Sequence, residues 1–521
     1  MTAPTPAATQ RALLTLALTL AVVFIAVFAM SRGQGNSWDL HNYHLYNGWA
    51  FWTGRSHDFA VAQLQTYFNP LLPAASYLLF VNTPPWLSAF ALGLVQAANL
   101  LPLYVLALGL LRAGRGRHWL ALALAVIGVC GAASLSELGG SMGDNLVSLP
   151  FLTACALVFT GEPRPRRFAL AALLAGAAAG IKLTMAPYAF GLLLAMPWRA
   201  SDFSTRRRLA VIALISMTVG FFACDGFWML RLWREFGNPL HPMFASLFGG
   251  DFVPPYSLRD ARWPPETWNE WIAYPLVWAS SPHRVSELWF LDLRVPLAFL
   301  ALPFLLWPTR RGEADDAARL RVQRLLAFAA TAAYFAWLVL FGYYRYLATL
   351  EMLSPLLLAL TLQRWLPPRW AMTALLITLA TIACTTRAPN WGRIKHYEND
   401  FLRIDVPKSS ALAGATVVFA ENEPLSFLAL GFPASTQFVR ISGNNMGTPW
   451  PEYGMDRAAR RHLDEATGPF FALIAHPDDP DLPAALAQHD FQLRPPCQEV
   501  KSNLITGNEH AYLCELNRTR K

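Results

Sequence analysis

Asp39 stands in an aromatic-rich segment, GNSWDLHNYHLYNGWAFWTGR, where an ionised carboxylate could serve as a base. Asn36 or Ser37 can cap a helix there, which places Asp39 in its first turn on the same side as Asn42 and Tyr43. The positive end of the helix dipole favours the ionised carboxylate, the form that accepts a proton from a hydroxyl group. The plainer interpretation is that Asp39 only satisfies the helix end, and the local pattern by itself favours it.

A second carboxylate, Asp144, directly precedes an apolar block in SLSELGGSMGDNLVSLP, and Glu137 ends the block before it. Asp144 could be a simple helix-start acid, or it could face the same chamber as Asp39, with Glu137 in support. A divalent metal held between such loops is conceivable, but the loops contain no DxD or ExD pair and the chain has no Cys/His cluster. The sequence therefore indicates no certain cofactor and leaves metal dependence open.

Four basic residues lie where membrane topology does not require them: Lys182 in GIKLTMAPY, Arg231 and Arg234 in WMLRLWREFGNPLHPMF, and Arg345 in GYYRYLATLEMLSP. The helix dipole opposes a cation at an outer helix start, so a bound lipid phosphate or diphosphate would compensate it. The alternative is that these side chains reach phospholipid head groups at the interface. Glu351, one to two turns below Arg345, predicts an ion pair or a polar pocket.

Long apolar blocks separate these residues. The chain of 521 residues is 54% hydrophobic and 15% charged, whereas soluble domains carry roughly 25% charged residues. Blocks of roughly 18 or more apolar residues predict membrane-spanning helices. Gly176 and Gly180, spaced as GxxxG, predict a close helix contact. We expect a mainly α fold, a polytopic transmembrane helical bundle of about eleven spans, at residues 11–30, 88–111, 118–135, 145–160, 168–181, 183–198, 209–230, 294–308, 320–341, 346–362 and 370–386.

Basic residues alternate between the predicted loops, and this alternation orients the bundle. Arginines cluster at 112–117, 164–167, 199–208, 310–324 and 364–369, all on one side if the N-terminus is cytoplasmic. Their position accounts for the net charge of +8 and argues against a nucleic-acid surface. An odd number of spans then puts the long loops and the C-terminal tail outside, where function is expected to lie.

The tail differs in composition from the rest, so we expect a membrane domain at 1–386 and a small external α/β domain at 387–521. Alternating segments such as ATVVFA and FFALIAH favour strands in this domain. Cys497 and Cys514 flank a hairpin-like segment, and an external compartment permits a disulfide between them.

The order of these motifs resembles the GT-C superfamily of membrane glycosyltransferases, which includes the bacterial aminoarabinose transferase and protein mannosyltransferase families. The segments that carry the resemblance occur in the same order and on the same membrane sides over roughly residues 10–385. They are WDLHNYHLYNGWAFWTGR, FNPLLPAASYLLF, SMGDNLVSLPFLTACALVF, LLAGAAAGIKLTMAPYAFGLLLA, REFGNPLHPMF and YYRYLATLEMLSPLLLAL. The aromatic-rich segment GNSWDLHNYHLYNGWAFWTGR carries a single acid, Asp39, where several relatives carry two acids or an acid pair. This departure puts metal binding in doubt more than the base.

The resemblance implies a transferase in the bacterial inner membrane, with a periplasmic C-terminal domain, that takes a sugar from a polyprenyl-phosphate donor at the outer leaflet. Asp39 would activate the acceptor hydroxyl, and Asp144 would support it or bind acceptor or metal. Lys182 and Arg345 would hold the donor phosphate. The acceptor, a lipid or a glycan of the envelope or a protein, is not identified.

The sequence is also compatible with two other functions. A transporter or flippase of lipid-linked sugars would show polar residues at the membrane midplane and repeat-related broken helices, whereas the unusual residues here crowd one surface. A scaffold whose tail binds periplasmic partners would need no catalytic base at all.

Overall fold

The computed structural model describes residues 6–254, 260–308, 314–444, 446–447 and 452–519, without the side chains of 6–8 and 314–316. Arg310 and Arg311 of the fourth basic cluster lie outside these residues. The chain splits into two compact units, each built from segments distant in sequence. The first unit comprises Met1–Arg32, Ala89–Gly226 and Arg259–Trp391, and the second comprises Gly33–Ser88, Phe227–Leu258 and Gly392–Lys521.

Helices account for most of the regular structure. In chain order they are α1 (Pro6–Ser31), α2 (Leu45–Thr53), α3 (Leu71–Asn82), α4 (Pro85–Ala97), α5 (Leu100–Leu110), α6 (Arg117–Val129), α7 (Ala132–Glu137), α8 (Asp144–Phe159), α9 (Pro165–Ile181), α10 (Ala186–Ala195), α11 (Phe203–Phe236), α12 (Ala245–Phe248), α13 (Trp268–Ser280), α14 (Arg294–Leu306), α15 (Ala314–Leu340), α16 (Ala348–Trp365), α17 (Pro368–Thr385), α18 (Gly454–Glu465) and α19 (Leu482–Ala487).

Within the described residues, six helices are long and apolar enough to cross a membrane. The apolar stretches are Thr9–Ser31 within α1, Pro85–Leu110 over α4 and α5, Phe203–Phe236 (α11), Ala317–Leu340 within α15, Tyr344–Trp365, which is α16 with the turn before it, and Pro368–Thr385 (α17). By length and composition these helices identify a membrane protein. A helix occupies each predicted span, but several are short: α6 has 13 residues and α10 has 10. The expected count of about eleven full crossings is therefore not confirmed.

Small residues bring the helices of the first unit close together. A Cβ atom at Gly176 would lie 2.0 Å from the carbonyl oxygen of Met217 on α11, and one at Gly180 would lie 2.4 Å from that of Phe221. The backbone itself would have to move to admit alanine, which confirms the close contact predicted from the GxxxG spacing. In α16, every residue from Ala348 to Thr361 is buried.

The second unit contains a five-stranded sheet among its described residues. The strands of this unit are β1 (Gln34–Gly35), β2 (Arg393–Ile394), β3 (Ile404–Asp405), β4 (Thr416–Phe419), β5 (Gln437–Arg440), β6 (Phe470–Ile474), β7 (Phe491–Glu499), β8 (Lys501–Ser502) and β9 (Tyr512–Arg518). The sheet order is β5-β4-β6-β9-β7. β4 runs parallel to β5 and β6, while β9 runs antiparallel to β6 and β7. This confirms a small sheet-containing region at the C-terminus.

The first long loop, residues 33–88, belongs to the same unit as the tail. β1 of this loop pairs with β2, and Phe59 pairs in parallel with Val439 of β5. This grouping differs from the predicted division at 386/387, which placed the loop with the membrane domain. Cys497 of β7 and Cys514 of β9 form a disulfide, with Cα atoms 4.3 Å apart.

Candidate functional site

Asp144 is placed by the abrupt start of α8. Gly143, just before it, has a φ of 87°, a left-handed conformation that glycine adopts without a steric penalty. The chain turns there, and Asp144 becomes the first residue of the helix, where the dipole favours its negative charge. Its side chain is only 5% exposed. A carboxylate buried to this extent requires partners of opposite charge.

Lys182 supplies the first of these partners. α9 ends at Ile181, Lys182 takes an extended conformation, and one 3₁₀ turn leads into α10. The Nζ atom donates to Asp144 Oδ2 at 2.6 Å and to the Met142 carbonyl oxygen at 2.8 Å. Thr184 of the same turn donates to the other carboxylate oxygen at 3.3 Å. The short α9–α10 junction therefore delivers two donors to one carboxylate.

Arg345 approaches the same carboxylate from the segment that leads into α16. Its Nε atom lies 3.8 Å from Asp144 Oδ2. The guanidinium carbon lies 5.5 Å from the ring centre of Tyr343, 5.4 Å from that of Tyr346 and 5.6 Å from that of Trp391. Aromatic faces stabilise a cation held at this distance. The Arg345 side chain is 11% exposed, so it is an almost buried cation beside Asp144.

Glu137 lies next to this group at the end of α7 and is 1% exposed. Its Oε2 accepts from the amide of Asn145 at 3.3 Å, while Oε1 has no hydrogen-bond partner among the described residues. Burial, followed by the charge of Asp144, raises the pKa of Glu137 well above its usual range. A protonated Glu137 has an O–H group that can donate to Asp144, which explains how two carboxyl groups share this buried space.

Two buried carboxylates fix the N-terminus of α7. Glu351 of α16 accepts from the second and third amides of α7 at 3.0 and 3.1 Å, and Asp292 accepts from the first at 2.8 Å. Arg294, itself 1% exposed, forms an ion pair with Asp292 and donates to the Cys130 carbonyl oxygen at 2.9 Å. These contacts hold in place the helix that carries Glu137.

Glu351 lies in the polar pocket that the sequence predicted. Tyr344 donates to its carboxylate at 2.9 Å. A Cβ atom at Gly131 would lie only 1.8 Å from Glu351 Oε1, so the carboxylate needs a glycine at this position. Asp292 and Arg294 were not singled out from the sequence, although the LDLR segment before α14 holds an unusual ion pair at a helix start. The sequence around Trp391 does not indicate that its ring contacts Arg345.

Asp39 lies in the second unit, in the first turn of a helix that Ser37 caps. The Ser37 hydroxyl oxygen accepts from the amide of Leu40 at 3.2 Å, as the sequence predicted for Asn36 or Ser37. A π-helical turn, Leu40–His44, follows and leads into α2. Such turns occur frequently at functional sites because they re-aim neighbouring side chains. Asp39 itself is half-buried.

Asn42 and Tyr43 occupy this π-helical turn. Asn42 is fully buried, and its Nδ2 atom lies 3.4 Å from both the Ala62 carbonyl oxygen and Gln65 Oε1. Its Oδ1 atom has no hydrogen-bond partner within the described part of the chain. Tyr43 packs edge-on against Phe68, with ring centres 5.7 Å apart. The turn therefore holds one buried acceptor beside Asp39 that a hydroxyl group could satisfy.

Arg231 and Arg234 lie on the C-terminal part of α11, in the second unit. The Arg231 guanidinium carbon lies 4.8 Å from the ring centre of Trp228, and its Nε atom lies 3.6 Å from Glu235. Both members of this ion pair are well exposed, as is Arg234. The neighbours of Arg231 thus account for its charge without a bound phosphate.

The described residues contain no group of three or more His, Cys, Asp or Glu side chains that could hold a metal ion. The Asp144 carboxylate is instead surrounded by cations, and Glu137 beside it favours its protonated form. Because Lys182 and Arg345 are positively charged, this cluster favours an anion over a metal ion.

No protein-family model matches the chain, and no curated protein matches it. Among solved structures, it is similar to two cryo-electron-microscopy structures of arabinofuranosyltransferase AftD from mycobacteria, one of them a point variant. The identity is 15% in both cases, with TM-scores of 0.48 and 0.45. The similarity covers 98% of this chain but only 42% and 40% of the AftD chains. The chain thus spans about two fifths of their length, and similarity at this level says nothing about its substrate.

Proposed function

We propose that the chain is a GT-C-type membrane glycosyltransferase. It moves a sugar from a polyprenyl-phosphate donor to a lipid or glycan acceptor at the outer leaflet of the bacterial inner membrane. The N-terminus is cytoplasmic, and residues 387–521 are periplasmic. The observation that supports this function best is the placement of two cations, Lys182 and Arg345, against one buried carboxylate, Asp144.

The charges of this cluster favour an anionic ligand. Lys182 and Arg345 place two positive charges beside the carboxylate of Asp144. Burial raises the pKa of the neighbouring Glu137 well above its usual range, which disfavours a second negative charge there. Both cations are partly accessible, at 17% and 11% exposure. A phosphate group could replace water there and gain charge-assisted hydrogen bonds from both.

In the proposed reaction, the acceptor hydroxyl oxygen attacks the anomeric carbon of the donor sugar. The bond from that carbon to the phosphate oxygen breaks, and the phosphate leaves with the bonding electrons. Asp39 takes the hydroxyl proton as the general base. Lys182 and Arg345 stabilise the negative charge that develops on the phosphate, while Asp144 orients Lys182.

The test uses the full-length protein reconstituted in liposomes with undecaprenyl-phosphate-linked hexoses and pentoses and an envelope extract as acceptor. Asp39→Asn keeps the side-chain size and removes the base, so we expect transfer to fall by about 100-fold or more. Lys182→Met removes a phosphate ligand, so we expect weaker donor use. Arg164→Ala is the matched control, because Arg164 is exposed and pairs only with Glu162 among its described ion-pair partners.

Full activity of a folded Asp39→Asn variant would rule out Asp39 as the base. Equal donor use by Lys182→Met and the wild type would remove Lys182 from the phosphate site. Movement of the lipid-linked sugar across the bilayer without any new covalent product would instead establish a flippase.

A further inference from the structure

The loop that carries Asp39 is attached to the C-terminal domain after α2. Phe59 pairs in parallel with Val439 of β5. Its amide donates to the Phe438 carbonyl oxygen at 2.9 Å, and its carbonyl oxygen accepts from the Arg440 amide at 3.0 Å. The sheet edge is thereby extended by a residue from a loop nearly 380 positions earlier in the chain.

Asp58 joins α2 to this sheet edge through three contacts. Its Oδ1 atom accepts from the amide of Phe438 at 3.1 Å, and its Oδ2 atom accepts from the Tyr46 hydroxyl of α2 at 2.8 Å. Arg55 binds both carboxylate oxygens, at 2.6 and 2.7 Å. Burial and the charge of Asp58 raise the pKa of Tyr46, which keeps its hydroxyl group protonated as the donor.

Arg55 also connects α2 to the C-terminal domain. It donates to the carbonyl oxygens of Ala434, at 2.9 Å, and Thr436. Its guanidinium carbon also lies 4.9 Å from the ring centre of Trp49 on α2 and 5.2 Å from that of Phe438. The Arg55 and Asp58 side chains are 3% and 1% exposed, so this ion pair is almost dry and its geometry is strongly constrained.

Two further buried polar side chains hold the end of the loop segment. Arg440, fully buried, donates to the Val61 carbonyl oxygen at 2.8 Å. Gln63 lies at the carboxyl ends of the parallel strands, donating to the Asn422 carbonyl oxygen at 3.2 Å and accepting from the Asn444 amide at 3.1 Å.

The backbone of this segment is strained. Ala60 and Gln63 have φ values of 49° and 55°, which non-glycine residues rarely adopt. Such conformations persist only where the surroundings impose them, and they cluster at functional sites. The segment is thus held in one conformation against its own backbone preference.

A second attachment lies before Asp39. Gln34 donates to the Phe401 carbonyl oxygen at 2.8 Å, and Asn36 donates to that of Leu504 at 3.0 Å. His41, two residues after Asp39, stacks on Phe427 with ring centres 4.6 Å apart. Residues of the C-terminal domain therefore bind the chain on both sides of Asp39.

We propose that the C-terminal domain positions Asp39, and that Asp58 and Tyr46 are positioning residues which fix α2 to the edge of the sheet. Asp39 as the base rests on the proposed function, whereas the attachment of its helix to the domain does not. The domain would thus be an obligatory part of the transfer site, not an independent binding module.

The test compares Tyr46→Phe and Asp58→Asn with the wild type by hydrogen exchange of the peptide covering residues 38–53, in the full-length protein. Tyr46→Phe removes one hydroxyl group and leaves the Arg55–Asp58 pair intact, so the protein should fold. Tyr512→Phe on β9 is the matched control, because it likewise removes one tyrosine hydroxyl group, from a ring whose centre lies 6.1 Å from that of His510. We expect faster exchange in both loop variants and unchanged exchange in the control.

Transfer kinetics provide the second readout. A displaced base lowers kcat by about ten-fold or more while the KM for the donor stays within two-fold of the wild type. Wild-type exchange rates in a folded Asp58→Asn variant would overturn the positioning role. If exchange accelerates but the wild-type protein transfers no sugar, the proposed function fails and the attachment of the helix stands.

Discussion

Replacement of Glu137 by glutamine tests whether this buried carboxyl group is protonated in the folded protein. Burial raises its pKa well above the ordinary value of 4.5. At a pH above 4.5, the carboxyl group of Glu137 loses its proton in the unfolded chain but keeps it in the folded protein. The folded state then binds more protons than the unfolded state, so the free energy of unfolding must fall as the pH rises toward the folded-state pKa.

The magnitude follows from proton linkage. One proton of difference changes the free energy of unfolding by about 1.4 kcal/mol per pH unit, so three pH units correspond to at most about 4 kcal/mol. Glutamine does not titrate and removes this slope. Its amide can also donate to Asp144 in place of the acid proton, so Glu137→Gln should match the wild type near pH 4.5 and exceed its stability at pH 7.5.

The assay is thermal unfolding in detergent between pH 4.5 and 8.5. Other titrating groups are common to both proteins and cancel in the difference between their melting curves. Glu162→Gln, at an exposed carboxylate paired with Arg164, is the control and should run parallel to the wild type. A Glu137→Gln curve that also runs parallel, or a variant less stable than the wild type at pH 7.5, would refute a protonated Glu137.

Two predictions concern stability elsewhere. Gly131→Ala would place a methyl group 1.8 Å from Glu351 Oε1, so the carboxylate must leave the amides of α7. We expect a loss of about 3 kcal/mol, measured against Gly114→Ala, whose Cβ would meet nothing within 4 Å; equal melting temperatures would contradict this. Replacing both Cys497 and Cys514 by serine removes the disulfide between residues 17 positions apart. We expect the free energy of unfolding, measured by chemical denaturation, to fall by about 3 kcal/mol. An unchanged midpoint would show that the strands hold without it.

The cations of this cluster could be identified from the sequence, because the predicted topology puts Lys182 and Arg345 on the side where the positive-inside rule does not expect them. Such a position relative to an apolar block can be seen without any structure. The structure brings both residues to Asp144, whose place at the start of an apolar block is an independent signal. The helices themselves followed from the apolar blocks, although several are too short to confirm about eleven full crossings.

The supports of the site could not be predicted in this way. Glu351 meets the α7 amides across more than 200 positions, and Asp292 does so across 160. The sheet contact of Phe59 involves a single residue and leaves no alternating pattern. No spacing rule in the sequence identifies partners this far apart. The structure was therefore needed to show that the second unit is built from three separate segments of the chain.

The attachment of the first loop to the C-terminal domain also sets an order of events during biosynthesis. Gln34 and its partner Phe401 are 367 positions apart, and Arg55 and Ala434 are 379 apart. At about 5–20 residues per second, a ribosome needs tens of seconds to travel that distance. The nascent chain therefore carries the Asp39 helix without its anchors while the intervening helices are made. A prematurely terminated chain never acquires them, so the Asp39 helix of an incomplete product would stay without its anchors.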